Sequence, residues 1–231
     1  MTNDSKANKI VNKISSNART NILAKLKAQV SGSDYSKLPK EIPYDYPQLT
    51  HQEHIEQFVA HLEANHAQVI KTKDSDIAKI IKRQLEQRNL NSLLCGKKHI
   101  TSELISPLKA DINLQAYDFT IDSNKEMLFN DCPAALSNSR CAISATGSIV
   151  LWPDSDEPRS LSLVPPVHFV IVDAEKMYAD FATLMAEQQW HDKLPTNVVL
   201  ISGPSKTADI QQTLAYGAHG PKELIVLLLN G

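Results

Sequence analysis

Three short runs of large apolar residues constrain the fold of this chain more than any other feature of its sequence. They span Val167 to Val172, Val198 to Ile201 and Leu224 to Leu229, and only His168 interrupts them. A strand that is buried on both faces has this composition, and such strands occur in parallel sheets covered by helices. With 42% hydrophobic residues in a length of 231, the chain can bury a core of that kind.

Segments with helical periodicity alternate with predicted strands along the chain. Thr50 and Glu53 have the spacing of a capping box before an apolar helical face, and residues 74–88 repeat the helical pattern after a short strand at residues 67–71. Further strands are predicted at residues 92–94 and 148–151, and further helices at residues 137–143, 177–185 and 207–216, the last with Gly217 as its cap. This alternation indicates βαβ units, so the predicted fold class is α/β, an open mostly parallel sheet with helices on both faces.

The N-terminal part of the chain, residues 1–47, is predicted to form a helix followed by an extended arm, before an α/β domain at residues 48–231. A helical stripe begins at Ile14, whereas residues 31–47 contain three prolines and no periodic pattern. The arm is expected to lie across the main body or across a neighbouring subunit of a homo-oligomer. Alternatively, it forms a surface loop that packs on its own domain. The sequence leaves these alternatives open.

Charge and hydropathy exclude two classes of partner. The net charge is −2, which argues against a surface that binds nucleic acid. The longest apolar stretch, Leu224 to Leu229, is far too short to span a bilayer, and the N-terminus has no apolar signal core. We therefore expect no membrane span and a cytoplasmic location.

The three cysteines, Cys95, Cys132 and Cys141, are expected to be small buried hydrophobic residues. Their wide spacing offers neither a disulfide framework nor a CxxC pair. An iron-sulfur cluster needs about four thiolates at short spacing. We therefore expect no metal site and no cofactor in this chain.

The segment at residues 198–210 is the strongest candidate for a ligand site. A predicted buried strand runs into a Gly-Pro turn and then into a predicted helix, whose first backbone N–H groups attract a carboxylate or phosphate. Its candidate ligand-binding residues are Ser202, Gly203, Pro204, Ser205, Lys206, Thr207 and Asp209. The alternative is that these residues only cap a helix. The segment matches neither a Walker A loop nor a GxGxxG motif.

Two histidines are candidates for acid-base catalysis. His219, followed by the candidate ligand-binding residue Gly220, lies in a turn before the last strand, and His168 lies at the head of the first apolar run. Either one can act as a general base, although a histidine at such a position is more often a hydrogen-bonded structural residue. The remaining histidines are interpreted as surface residues: His51, His54, His61, His66, His99 and His191.

A turn of small residues and a loop arginine complete the candidate site. Thr146 and Gly147 let a backbone approach a ligand closely, and Arg159 can hold a carboxylate through paired hydrogen bonds. The alternatives are a tight turn with locally bonded hydroxyls and a solvated arginine. We expect the separated stretches between Thr146 and Pro221 to converge around one cavity, floored by the N-terminus of the predicted helix.

The order and spacing of these segments resemble the LUD-domain family, most closely its lactate-utilization protein C branch. The resemblance extends from Ala18 onward, and its motifs are AISATGSIVL at residues 142–151, Arg159, PPVH at 165–168, SGPSKTADI at 202–210 and AHGPKEL at 218–224. Two positions depart from the family's pattern. Ala145 stands where the family usually has an acidic residue, which removes a carboxylate from that turn. Lys206 replaces the usual arginine, which keeps the charge but loses the bidentate geometry.

What the resemblance implies is a sheet like that of the sugar-phosphate isomerases and CoA-transferases, with the ligand at the carboxyl ends of the strands. It also implies a subunit of a three-component system that oxidises L-lactate to pyruvate, with iron-sulfur clusters in the partner proteins. In this hypothesis His219 or His168 accepts the hydroxyl proton and Lys206 holds a small anionic ligand, or the chain docks its partners. Two alternatives stay open: a free-standing enzyme acting on a phosphorylated or CoA-linked substrate, and an interaction protein with a vestigial pocket.

Overall fold

The structure, a computed structural model, consists of two compact units, Met1–Asp45 and Tyr46–Gly231. It describes residues 18–34, 36, 38–39, 48–99, 102–208, 214–216 and 219–230, without the side chains at 193, 207–208 and 214–216. In the first unit, residues 18–30 form helix α1, whose side chains are all exposed. Ile14 and residues 40–47 of the predicted arm lie outside the described residues.

Helix α2, His51–Ala64, begins at the predicted capping box. The Glu53 N–H donates to the Thr50 hydroxyl oxygen at 3.3 Å, and the Thr50 N–H donates to Glu53 Oε2 at 2.7 Å. This reciprocal pair confirms the capping box. The predicted helix at residues 74–88 is a 3₁₀ turn, Asp74–Asp76, that continues as α3, Ile77–Glu86.

The remaining elements of the described residues alternate along the second unit. The strands are β1 Gln68–Thr72, β2 Ser92–Cys95, β3 Asn113–Ala116, β4 Ala134–Asn138, β5 Cys141–Ile143, β6 Ser148–Leu151, β7 Val167–Asp173, β8 Met177–Tyr178, β9 Val199–Ile201, β10 Lys206–Ala208, β11 Leu214–Tyr216 and β12 Glu223–Leu229. The helices are α4 Ile121–Glu126, α5 Ser160–Leu163, α6 Phe181–Glu187 and α7 Trp190–Lys193, with short turns at Ser106–Ala110, Met127–Asp131 and Ala174–Lys176. Within the described ranges, none of the helices combines the length and apolar character needed to cross a bilayer.

Six strands form one sheet in the order β1-β12-β7-β4-β2-β3. Every adjacent pair in this sheet is parallel. β7 and β12 are buried along almost their whole length, because each has a neighbouring strand on both edges and packed side chains on both faces. The predicted parallel sheet and the central position of the Val167 strand are confirmed.

Helices cover both faces of this sheet, as predicted. On one face, α3 packs Ile81 into a core that includes Phe169 of β7. On the other face, α2 packs Phe58 into a core that includes Val170 of β7. Phe169 and Val170 point to opposite faces because side chains alternate along a strand, which explains why the whole run has to be apolar.

A second sheet of four strands, in the order β8-β5-β6-β9, shares the face covered by α2 and was not predicted. The helix predicted at residues 137–143 is wrong, because β4 and β5 occupy this region and are buried by pairing with distant strands. β9, predicted to be buried on both faces, is an edge strand of the small sheet and leaves Leu200 48% exposed. The helix predicted from residue 177 starts only at Phe181, where Asp180 accepts the Thr183 N–H at 2.9 Å.

Residues 206–208 and 214–216 form two paired strands where the sequence predicts a helix. β10 and β11 pair antiparallel, with Lys206 opposite Tyr216 and Ala208 opposite Leu214. The predicted helix is therefore wrong at residues 207–208 and 214–216, and so is the helix N-terminus that was expected to attract an anion. Cross-strand pairing here overrides the local helical preference. Gly217, the expected helix cap, lies outside the described residues.

Candidate functional site

A crevice opens at the carboxyl ends of β2 and β4, which are neighbours in the six-stranded sheet. After β2 the next strand of this sheet is β3, on one side, whereas after β4 the next strand of this sheet is β7, on the other side, which the chain reaches through β5 and β6. In open parallel sheets, ligands bind where the strand order reverses in this way. The segment after β2, Gly96 to His99, and the end of β4 at Asn138 therefore form the candidate site.

A buried histidine, His99, lies at the centre of this site. Its side chain is 7% exposed, and its Nε2 lies 2.9 Å from Glu157 Oε1. Asn138 Nδ2 lies 2.5 Å from the same nitrogen, and the Asn138 backbone N–H donates to Glu157 Oε2 at 3.0 Å. Because a carboxylate only accepts, Nε2 carries a hydrogen, and the Asn138 amide must face it with its oxygen instead. The prediction that His99 is a surface residue is wrong.

Gly96 provides the space through which Glu157 reaches His99. A Cβ at position 96 would lie 2.7 Å from Glu157 Cγ and 3.1 Å from the Asp156 carbonyl oxygen. Asp156 accepts the Lys98 backbone N–H at 3.1 Å, so the polar loop after β6 is bonded directly to the segment after β2. Two distant segments are therefore packed together around the histidine.

Two adjoining cavities flank the crevice. One has a volume of about 270 Å³ and the other about 200 Å³, and Lys98, His99 and Asn138 line both of them. Trp152 and Arg140 line only the larger cavity. A space of this size accepts a small organic acid.

The larger cavity contains both cations and carboxylates. The Arg140 guanidinium lies 5.3 Å from the centre of the Trp152 ring, within the range of a cation–π interaction. Asp154 Oδ1 accepts two backbone N–H groups, those of Asp156 at 2.7 Å and Glu157 at 2.8 Å. The Arg140 guanidinium, which also donates to Gln188 Oε1 at 3.0 Å, lines this cavity and is a group that can hold a carboxylate through paired hydrogen bonds.

The structure brings together several of the stretches that the sequence marked as ligand-binding. β6 and β9 pair antiparallel, with Ile149 opposite Ile201, so Thr146–Gly147 and Ser202–Gly203 are neighbours. Thr146 is exposed, and its hydroxyl shares a hydrogen bond with the Ser148 hydroxyl at 2.8 Å. The Thr146 hydroxyl is therefore bonded within its own turn, as the structural alternative expected.

The glycines of these two segments pack against the end of α2. A Cβ on Gly147 would clash with the Cβ of His61, and a Cβ on Gly203 would lie 2.9 Å from the Asn65 carbonyl oxygen. Gly147 also has a φ of 58°, a conformation that glycine adopts without strain. Close packing against α2 accounts for both glycines.

Ser205 connects these segments to the turn that carries His219. The His219 N–H donates to Ser205 Oγ at 3.2 Å, and Gly220 packs against the Ser205 side chain. Nearby, the Glu223 N–H donates to the Pro166 carbonyl oxygen at 3.0 Å. These residues lie at the amino ends of β7 and β12, whereas the His99 crevice lies at the carboxyl ends of the sheet.

The other candidates from the SGPSKTAD segment differ in exposure. Ser202 and Lys206 are exposed, and Pro204 is buried. The Thr207 side chain and the whole of Asp209 lie outside the described residues. Lys206 was expected to lie next to the positive N-terminus of a helix. Because strand β10 replaces that helix, the positive charge here comes from the Lys206 side chain without it.

His168 and Arg159 lie apart from these segments. His168 is fully buried, and its Nε2 shares a hydrogen bond with Ser137 Oγ at 2.7 Å. Burial lowers the pKa of His168 to about 3, so the imidazole is neutral. His168 is therefore an interior residue. Arg159 is exposed and lines a small cavity of about 10 Å³ next to Ser137 and Glu157, on the side of the crevice.

The three cysteines are buried, as the sequence predicts. Burial raises the pKa of the Cys95 and Cys141 thiols to about 12, and it also raises the pKa of Cys132. Because the thiolate is the form that binds metals and attacks substrates, these residues are suited to packing. In the part of the chain that the structure describes, no three His, Cys, Asp or Glu side chains come together as metal ligands.

Three polar residues that form the crevice, His99, Asn138 and Glu157, were not predicted from the sequence. One signal was present, since Gly96 comes two residues after a predicted strand and His99 comes shortly after it. A glycine in that position often lets another segment approach the end of a strand. No pattern pointed to Glu157, because it lies in a loop rich in other acids.

Comparison with known proteins identifies one family, two relatives and one similar solved structure. The family described as the LUD domain matches residues 55–229 of this chain. An uncharacterized protein of Neisseria meningitidis serogroup B, NMB1437, is 37% identical over 223 residues, which cover 92% of this chain and 93% of that protein. Lactate utilization protein C of Oceanobacillus iheyensis is 22% identical over 181 residues, which cover 74% of this chain and 77% of that protein. In fold, the chain is similar to a DUF162 family protein from Deinococcus radiodurans, with a TM-score of 0.61 at 17% identity over 79% of this chain and 100% of that one.

Proposed function

The chain belongs to the LUD-domain family, and from this membership we propose that it is a subunit of a three-component system that oxidises L-lactate to pyruvate. One observation carries the proposal: a relative that matches about three quarters of this chain bears the name lactate utilization protein C. In the proposed system this chain binds lactate and docks its partner proteins. The iron-sulfur clusters belong to the partners, and we assign no cofactor to this chain.

The crevice around His99 suits a small 2-hydroxy acid. Lactate has a carboxylate, which a guanidinium holds through paired hydrogen bonds, and Arg140 lines the larger cavity. The hydroxyl group of lactate has to lose a proton during oxidation. His99 can accept this proton, and the contact of its Nε2 with Glu157 orients the ring. Because Nε2 carries the hydrogen that faces Glu157, Nδ1 is the nitrogen that accepts this proton.

The electrons of the reaction leave this chain. Oxidation breaks the O–H and C–H bonds at the hydroxyl-bearing carbon of lactate and forms the carbonyl of pyruvate, with release of two electrons and two protons. His99 would take the hydroxyl proton, and the hydrogen on carbon would leave with the two electrons to the acceptor that the partner proteins supply. Iron-sulfur clusters in those partners would carry the electrons onward one at a time.

Growth on L-lactate tests this proposal. Deletion of the gene should abolish growth on L-lactate while growth on pyruvate continues, and the wild-type gene should restore it. The variant His99→Gln keeps a polar group in the crevice but cannot act as a base. In extracts of the complemented strain it should therefore lower the rate of lactate oxidation by about 100-fold or more.

The variant His219→Gln is the matched control, because His219 lies near the amino ends of the strands. It should restore growth as well as the wild type does. Unchanged growth of the deletion strain on L-lactate would contradict the lactate role itself. Loss of growth with His219→Gln but not with His99→Gln would move the ligand site to the turn before β12. Lactate-dependent reduction of a dye by the purified chain alone would contradict the assignment of the electron acceptor to partners.

A further inference from the structure

A groove runs between strand β1 and helix α3, at one edge of the six-stranded sheet. Among the described strands β1 pairs with β12 alone, so every second backbone N–H and C=O group of Gln68–Thr72 faces away from the sheet. The groove has a volume of about 480 Å³, and Ile70 and Ile80 supply its apolar part. An edge strand beside such a groove is the geometry in which an extended peptide adds to a sheet.

The walls of this groove are strongly positive. The cations that line it are Lys71, Lys73, Lys79 and Arg83. Asp76 is the one acidic residue that lines it among those described. None of the ion pairs between described residues includes any of the four cations. A neighbouring cation on α3 outside the groove, Lys82, is paired, since its Nζ lies 2.6 Å from Asp111 Oδ1. Because the whole chain has a net charge of −2, the positive charge is a local feature of this edge.

We propose that this groove binds an extended acidic segment of a partner protein, which adds to β1 as a further strand. The backbone of the segment bonds to the outward N–H and C=O groups of β1, and its acidic side chains pair with the cations of the walls. Lysine at a sheet edge also prevents unwanted pairing, which accounts for Lys71 on β1 and for Lys73 directly after it. It does not account for Lys79 and Arg83, which belong to α3 and line the opposite wall. The proposal does not depend on the role in lactate oxidation.

Fluorescence anisotropy with the full chain tests this proposal. The probe is a labelled peptide of about eight residues that alternates glutamate with valine. It is compared with a peptide in which lysine replaces glutamate, and with one that is N-methylated at alternate amides. Both changes should weaken binding by about tenfold or more, because one reverses the charge and the other removes the strand hydrogen bonds.

Two double variants separate the groove from general charge. Lys79→Glu with Arg83→Glu reverses the α3 wall and should weaken binding of the glutamate peptide by about tenfold or more. Lys109→Glu with Lys125→Glu makes the same change in net charge at exposed positions outside the groove, and should alter binding by less than about twofold.

Three results would overturn the proposal: no binding of the glutamate peptide, undiminished binding of the N-methylated peptide, or equal weakening by both double variants. The peptide comparison uses the wild-type chain, so it decides the question even where a variant is unstable.

Discussion

Replacing Gly96 with alanine tests whether the candidate site depends on close packing between its segments. The added Cβ would lie 2.7 Å from Glu157 Cγ and 3.1 Å from the Asp156 carbonyl oxygen, both closer than ordinary van der Waals contact. Glu157 is the side chain that can move. Its withdrawal removes its contact with His99 and the hydrogen bond from the Asn138 N–H.

The expected cost of Gly96→Ala follows from these contacts. If the clash remains, overpacking lowers the free energy of unfolding by about 1–3 kcal/mol. If Glu157 withdraws, the loss of two hydrogen bonds costs about 1–3 kcal/mol. Gly96 is not among the glycines with positive φ, so alanine also stabilises the chain by about 0.4–1 kcal/mol through its unfolded state. The net expectation is a loss of about 1–2 kcal/mol.

Urea denaturation measures this loss and its cause. Gly220→Ala is the matched control, because its Cβ would lie 3.3 Å from Ser205 Cβ, a distance that a small shift relieves. In a Glu157→Ala background the clashing Cγ is absent, so Gly96→Ala should cost less than about half of its cost in the wild type. The clash is refuted as the cause if Gly96→Ala is as mild as Gly220→Ala, or if its cost is the same in both backgrounds.

Two further expectations concern parts of the fold outside the crevice. Thr50→Ala removes the capping box and should lower the free energy of unfolding by about 1 kcal/mol in urea, whereas Thr120→Ala, whose side chain does not cap α4, should have less effect. Burial lowers the pKa of His168 to about 3, whereas the pKa of an unburied histidine is about 6.5. Between these two pH values the unfolded chain therefore binds a proton at His168 that the folded chain does not bind. Stability should fall as pH drops through this window, by at most about 1.4 kcal/mol per pH unit. Urea denaturation at several pH values measures how steeply the free energy of unfolding depends on pH. The double variant His168→Leu with Ser137→Ala should lack the part of this dependence that His168 causes. An unchanged pH dependence in the variant would contradict the assignment to His168.

The strands of the main sheet were predictable where burial alone defines them. β7 and β12 were located from their apolar composition, because a strand covered on both faces can hold few polar residues. The start of α2 was predictable for a different reason, since the bonds between Thr50 and Glu53 are local. Both features depend on residues that are close together in the sequence.

The candidate site was not predictable in the same way. His99, Asn138 and Glu157 come from three separate segments, and none of them belongs to a local motif. Their meeting depends on β2 and β4 being neighbours, which follows from the strand order of the whole sheet. The residues that did stand out in the sequence, such as Gly147 and Gly203, meet at α2 instead.

The sequence by itself determined that β7 and β12 are buried and where α2 begins, because side-chain chemistry within a few residues decides both. It also showed which family the chain resembles. Only the tertiary structure decided that residues 206–208 and 214–216 pair as a hairpin, that β5, β6, β8 and β9 form a second sheet, and that His99 meets Glu157. Strand pairing and site assembly depend on distances between residues far apart in the chain, and these distances are set by the packing of the whole domain.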